Sequence, residues 1–279
     1  MSHNNKINAA AEEKLQYNAA KSSLDRATLT DIIDLALSAG QLLMQNGAES
    51  QRVEETVRNL GTGLGCDWGD VFVSHNAIIV SYSSGEEFRT KIRRVTQGGV
   101  NMTLVAAISH LTHRVAEGKF DRFRVRVELE RINTTSRHYN RWVTVFMIGL
   151  TCAALSRLFG GDWPVFGVTF VSTSTAMLVR QELDRRHFNA LLVVIVTAFV
   201  AGLLVGLAKL FSFCRQPEAA LAASVLFLVP GVPFINAIED LIKGHTVVGL
   251  ARGVTGALTI FAIALGLLMA IQLTGVSGL

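Results

Sequence analysis

Charge is thin along this chain: of 279 residues, 17% are Asp, Glu, Lys or Arg, and half are apolar. The apolar runs concentrate after Trp142, which excludes a soluble protein built on one core. Cysteine is scarce as well. Cys66, Cys152 and Cys214 stand in three separate segments without a CxxC or paired spacing, which excludes a disulfide or thiolate-metal framework and leaves ordinary buried thiols. No GxSxG or other nucleophile context accompanies the Ser, His and Asp residues, so hydrolase chemistry has no support and the chain does not read as an enzyme. His110 and His113 fall three apart and, with His75, could suggest zinc, but no fitting carboxylate or thiolate pattern goes with them. No metal or other cofactor is expected. The first residues lack an apolar h-region, so no cleavable signal peptide is expected. The formal charge of +4 sits beside apolar spans, where it sets membrane orientation, so no nucleic-acid partner is expected.

What is present divides into three parts. Residues 1–27 mix Asn, Ala, Lys and Glu without periodicity and read as a mobile tail. Residues 28–135 predict a small α+β domain, long enough for its own core. Its first helix starts near Thr28, with a capping-box-like Thr28/Asp31 spacing, carries Leu29, Ile32, Ile33, Ala36, Leu43 and Met44 on one face, and stops at Asn46-Gly47. A second helix carries Val53, Val57 and Leu60. Between Cys66 and Val95 the chain turns to short β-type runs, with a turn at Ser83-Ser84-Gly85. A third helix covers about residues 100–117. Residues 121–130 alternate apolar and charged like a strand, yet Arg126 and Glu130 would also pair on a helix, and both readings stay open.

Residues 136–279 predict a membrane domain of five spans at 142–159, 163–179, 190–210, 219–242 and 254–273, each close to the ~20 residues that cross a bilayer. The fold class is an α-helical membrane protein with five transmembrane helices, the fourth broken by Pro-Gly-x-Pro, preceded by a small cytoplasmic α+β domain. Arg131, Arg137, Arg141, Arg180, Arg185, Arg186, Lys243 and Arg252 would lie inside and only Arg157, Lys209 and Arg215 outside, so the positive-inside rule puts the head in the cytoplasm and the C-terminus outside. Ala198, Gly202 and Gly206, and Ala262, Gly266 and Ala270, repeat at four-residue spacing and read as bundle packing.

The fourth span carries the candidate site. Pro230 and Pro233 have no N–H for the carbonyls of Leu226 and Val229, and a helix restarting near Phe234 would aim unpaired N–H groups at a carboxylate. Asn236, Asp240 and Lys243 share one helical face. Pro230, Gly231 and Pro233 are then the helix breakers and Asn236 a substrate hydrogen-bond donor. Asp240 stands between a site residue and an interfacial acid, and Lys243 reads as a snorkelling interface residue that lends positive potential at the inner mouth. Ser172 and Thr173 of the second span either line the same cavity or bond back to carbonyls one turn earlier. Arg180 closes that span as an orientation signal that would also draw anions inward. An open site of this kind implies that Asp240→Asn lowers flux and leaves membrane abundance unchanged.

NGAES (46–50), HNAI (75–78), VNMTLV (100–105), STSTAMLVRQEL (172–183), LVPGVPFINAIEDLIKGH (228–245) and GLAR (249–252) together resemble the threonine/serine exporter family. They look closest to its split form, in which a larger subunit with a cytoplasmic head and five spans works with a smaller all-membrane subunit. The resemblance implies a succinate exporter subunit of the bacterial inner membrane, with threonine or serine as the alternative cargo, and a partner supplying the second half. Independently, five spans with one broken helix resemble half of an inverted repeat, which calls for a partner or a second copy. A membrane-anchored binding or sensory protein is the competing class, for which five spans are excessive.

Overall fold

The computed structural model describes residues 24–96, 98–134, 140–213 and 216–275. The expected tail before residue 24, Cys214, Arg137, Arg215 and the last four residues lie outside them. The chain forms two compact units: residues up to 136 together with 235–252, and residues 137–234 together with 253–279. Division at residue 135 had left 235–252 with the membrane part, whereas their contacts group them with the head.

The first unit is built around α1 (Arg26–Gln45), whose Leu29, Ile32, Ile33, Ala36, Leu37 and Leu43 are buried. The helix starts two residues before Thr28, from Asp25. The Thr28 hydroxyl accepts from Arg122 at 2.6 Å, which replaces its expected capping role. α2 (Ser50–Gly63) buries Val53, Val57 and Leu60. β1 (Trp68–Val73), β2 (Ala77–Ser84) and β3 (Glu87–Arg94) form an antiparallel sheet in that order. The β2–β3 turn falls at Gly85-Glu86, two residues past the expected start, because Ser84 still pairs with Glu87. Period-two alternation sends Ile78, Val80 and Tyr82 inward. β3 turns cations to the same face, where Lys91 reaches Asp34 at 2.8 Å and Arg93 reaches Ser38 at 2.7 Å. α3 (Met102–Ala116) is capped by the Asn101 side chain on Leu104 N–H.

Residues 122–134 form α4 (Arg122–Thr134), which settles the open segment as helix. Asp121 accepts from Arg124 N–H at 3.0 Å as the cap, and Val125, Leu129 and Ile132, at i, i+4 and i+7, enter the core. The strand-like alternation survives as Phe123 and Val127, both left exposed.

The second unit holds α5 (Arg141–Leu158), α6 (Trp163–Arg185), α7 (Ala190–Leu210), α8 (Pro217–Val225), a 3-10 turn (Leu226–Leu228), the start of α9 (Gly231–Ile242) and most of α10 (Thr246–Thr274). Among the described residues α1, α5, α7 and α10 are long and apolar enough to cross a membrane, and the pair 217–228 and 231–242, bent by 63°, adds a broken fifth. This set differs from the sequence count at two helices. α1 qualifies by composition although more than half of it is buried in the head's core, and α6 does not qualify, because Thr169 and the run Ser172 to Thr175 dilute its apolar character. Small residues of α7 meet small residues of α10: a Cβ on Gly202 would come within 2.9 Å of that of Ala270, and one on Gly206 within 2.6 Å of Thr274.

Tyr82 is the largest fully buried side chain of the head. Its hydroxyl donates to the Val57 carbonyl, burial pushes its ionisation far up, and Gly61 and Gly69 make room for the ring. Gly61→Ala drives a methyl into that ring and is expected to destabilise the head by about 1–3 kcal/mol. Thermal unfolding of the detergent-solubilised protein measures this, and an unchanged midpoint would contradict the packing described.

Candidate functional site

NGAES, GLAR and the INAIEDLIKGH end of the proline motif meet in the first unit. α1 ends with Gly47 at φ +84°, where Gly47 N–H donates to Met44 and Ala48 N–H to the Leu43 carbonyl, a Schellman ending that requires the left-handed residue. α9 ends the same way: Gly244 has φ +87°, and His245 N–H donates to the Asp240 carbonyl at 2.8 Å. The second ending supplies the first with side chains. Asn236 Nδ2 donates to the Gly47 carbonyl at 2.8 Å, and Arg252 Nη2 to the Ala48 carbonyl at 3.0 Å. Ser50 N–H, the first of α2, donates to Asp240 Oδ1 at 3.0 Å. Asp240 therefore caps a helix 190 residues away, and its charge lies at the positive end of that helix's dipole.

Asp240 is fully buried, and its other oxygen takes Arg252 Nη1 at 2.8 Å. Around this pair, Lys243 Nζ contacts Glu49 at 2.6 Å and Glu239 at 2.7 Å, and His245 Nδ1 lies 3.6 Å from Glu54. Burial, with Glu239 adding to it and Lys243 opposing, raises the Glu49 carboxyl above the usual carboxylate range. Burial also raises Glu54, against the pull of His245. Gly249 lets α10 approach α9, since a Cβ there would come within 2.8 Å of the Ala237 carbonyl.

The other candidates lie in the second unit. Pro230 follows Val229 at the bend, but the two freed carbonyls are retaken: Leu226 O accepts from Val229 N–H at 3.2 Å and Val229 O from Gly231 N–H at 2.8 Å. α9 starts at Gly231, three residues before the expected restart, so Pro233 falls in its first turn, where a missing N–H leaves no gap. The expectation of open carbonyls there is thereby corrected. Beside Gly231 an added Cβ would meet nothing within 4 Å. On α6, Ser172 bonds back to the Thr169 carbonyl at 3.2 Å while also lining an apolar groove of about 310 Å³, and Thr173 reaches the Ser224 carbonyl at 3.4 Å. Arg180 lies over the Phe227 ring at 6.0 Å and 3.8 Å from Asp184. Ser174 Oγ and Gln181 Oε1, seven residues apart on this helix, are buried without a hydrogen-bond partner among the described residues. Among the described residues no three His, Cys, Asp or Glu side chains gather to hold a metal ion.

The structure thus brings Asn236, Asp240 and Lys243 to the loop between α1 and α2, and Thr173 and Arg180 to the segment before the bend. Sequence reasoning missed Arg252, Glu49 and Gly249 as members. NGAES and GLAR were visible as motifs, but their pairing with Asp240 spans too much chain for local spacing to show. A fully buried partner of Arg252 also does not fit the expectation that Asp240→Asn spares abundance.

Two outcomes are expected. Asp240→Asn strands Arg252 in a buried setting, so a loss of about 3–5 kcal/mol and reduced membrane abundance should follow, partly restored by adding Arg252→Gln; thermal unfolding and immunoblots of both variants read this. A carboxyl raised by folding stabilises the fold below the ordinary carboxylate range, and that contribution is lost as pH rises through the raised value. Glu54→Gln is accordingly expected to raise the unfolding midpoint at pH 8, with the gain vanishing as the pH falls into the carboxylate range.

The comparisons with known proteins agree with the motifs. The family model described as "Putative threonine/serine exporter" matches residues 34–274. The "Probable succinate transporter subunit YjjP" of Klebsiella aerogenes is 36% identical over 91% of this chain and 98% of its own, and that of Escherichia coli is 36% identical over 88% and 95%. The "Threonine/serine exporter" of Corynebacterium glutamicum is 21% identical over 90% of this chain and 53% of its own. No solved structure matches. With its several apolar helices, the chain is a multi-pass membrane protein and belongs to the threonine/serine exporter family.

Proposed function

We propose that the protein is one subunit of a secondary exporter that moves a small carboxylate metabolite, succinate first, out across the bacterial inner membrane by alternating access. The observation that carries this reading is α9, one helix whose start is a Pro-Gly-x-Pro break and whose end is fixed by Asn236, Asp240 and Lys243. A helix broken at one end and clamped at the other can pass a movement from a transport path to the head. Pro230, Gly231 and Pro233 shape the break. Arg180 draws the carboxylate, Ser174 and Gln181, seven residues apart on one face, offer it their unpartnered polar atoms, and Thr173 braces α6 against the segment before the bend while Ser172 lines the neighbouring groove. Asn236, Asp240 and Lys243 act as the coupling latch. In this reading α5, α6, α7, the bent pair and α10 are five spans, the head is cytoplasmic and the C-terminus outside.

The chain matches about half the length of the Corynebacterium exporter, which supports a smaller all-membrane partner supplying the rest. Threonine or serine export is the second reading, favoured by the family description. An amino acid needs an anion for its ammonium group, and the two acids of the fourth span, Glu239 and Asp240, are held by Lys243 and Arg252, which favours the dicarboxylate.

Efflux of labelled succinate, threonine and serine from cells with and without this chain and an all-membrane partner tests the proposal. Succinate efflux is expected to need both chains, and Arg180→Gln to lower it about tenfold or more, the loss of one charge-assisted hydrogen bond. Unchanged efflux of all three substrates rejects the reading.

A further inference from the structure

Helix α4 has two apolar faces, and the core uses one. Val125, Leu129 and Ile132 are buried, while Phe123 and Val127, one turn apart on the other side, are 63% and 65% exposed. Exposed Glu130, three residues after Val127, lies on that same outer face, and cations border it. Arg124 on α4 and Arg114 at the end of α3 approach the Phe120 ring from 5.9 Å and 5.6 Å, and neither makes an ion pair among the described residues. Arg122 lies 4.9 Å over the Phe123 ring while its guanidinium donates to Thr28. Arg126 and Arg131, by contrast, are bound to Asp31 and Glu128. A groove of about 330 Å³ between α3 and α4, lined by His110, Arg114, Phe120, Glu128 and Arg131 among others, opens beside Arg114. The outer face thus carries a short apolar strip, Phe123 and Val127, flanked by Arg114 and Arg124, whose cation–π contacts with Phe120 leave their charge facing outward.

The chain fixes where a headgroup layer is. α4 ends at Thr134 and α5, long and apolar enough to cross a bilayer, begins at Arg141. The intervening chain can reach no more than about 25 Å even when fully extended. A basic, apolar helix tied that closely to a span stays within range of the lipid surface.

We propose that α4 docks on the bilayer surface as an interfacial helix, with Phe123 and Val127 in the apolar boundary and Arg114 and Arg124 on the phosphates of anionic phospholipid. The two arginines shift the ratio of docked to undocked helix by roughly 30-fold, about 1 kcal/mol each. High salt weakens the docking, because the charges are exposed.

The test is a spin label on Val127→Cys in the full chain, with Cys66, Cys152 and Cys214 replaced by Ala, in nanodiscs of phosphatidylcholine with or without phosphatidylglycerol. Power saturation against oxygen and a nickel chelate reports whether the label sits in lipid or water. The proposal expects an oxygen-rich, nickel-poor environment with phosphatidylglycerol and a watery one without it. Adding Arg114→Gln and Arg124→Gln should return the first pattern to the second; both side chains are exposed, and an unchanged unfolding midpoint confirms that the fold is kept. A label in water in both discs overturns the proposal. So does one equally immersed in both and indifferent to the arginines, or one shielded from both reagents by a second copy or another protein.

Discussion

The buried pair of Asp240 and Arg252 is the contact on which the first unit depends. Removing two charges from water costs several kcal/mol per ion, and both partners offset it with further hydrogen bonds to backbone groups. Asp240 has one oxygen on Arg252 and the other on the first N–H of α2, and Arg252 keeps a second nitrogen for the Ala48 carbonyl. These bonds satisfy backbone groups that a tight α1–α2 turn would otherwise leave open. A buried pair adds little net stability over an apolar one, but it tolerates only one register between the two helix ends. Specificity of placement, more than strength, is what it supplies.

Much of this was legible in the sequence, and for identifiable reasons. Gly47 announces a helix end because the left-handed conformation admits few other residues. Leu29, Ile32, Ile33 and Ala36 announce a buried helix face by spacing alone. The two prolines mark the bend, since each removes a donor. Residues 121–130 were ambiguous because a sequence with two apolar faces satisfies both periods, and Asp121 as a cap decided between them.

The site was legible only as parts. Asn236, Asp240 and Lys243 share a helical face, and that much follows from spacing. Their occupation by Gly47, Ser50 and Glu49 does not, because no local pattern records a bond across nearly two hundred residues. Polar residues in an apolar segment therefore suggested a cargo site, whereas the geometry shows them already bonded within the protein. The freed carbonyls were overestimated for a similar reason: the 3-10 turn retakes the Leu226 carbonyl, and Gly231 N–H, two residues on, takes that of Val229.

The long reach of Asp240 also bears on the order of synthesis. The first unit is interrupted in sequence, and its closing residues emerge only after 137–234 have been made. At about 5–20 residues per second, Asp240 leaves the ribosome roughly 10–40 s after Ser50. Until then Ser50 N–H lacks the Asp240 carboxylate, and the Gly47 and Ala48 carbonyls lack Asn236 and Arg252. The head must wait, incomplete, while the apolar helices are delivered to the bilayer, so a chain stalled in insertion carries an unfinished head that proteolysis can distinguish from the finished one.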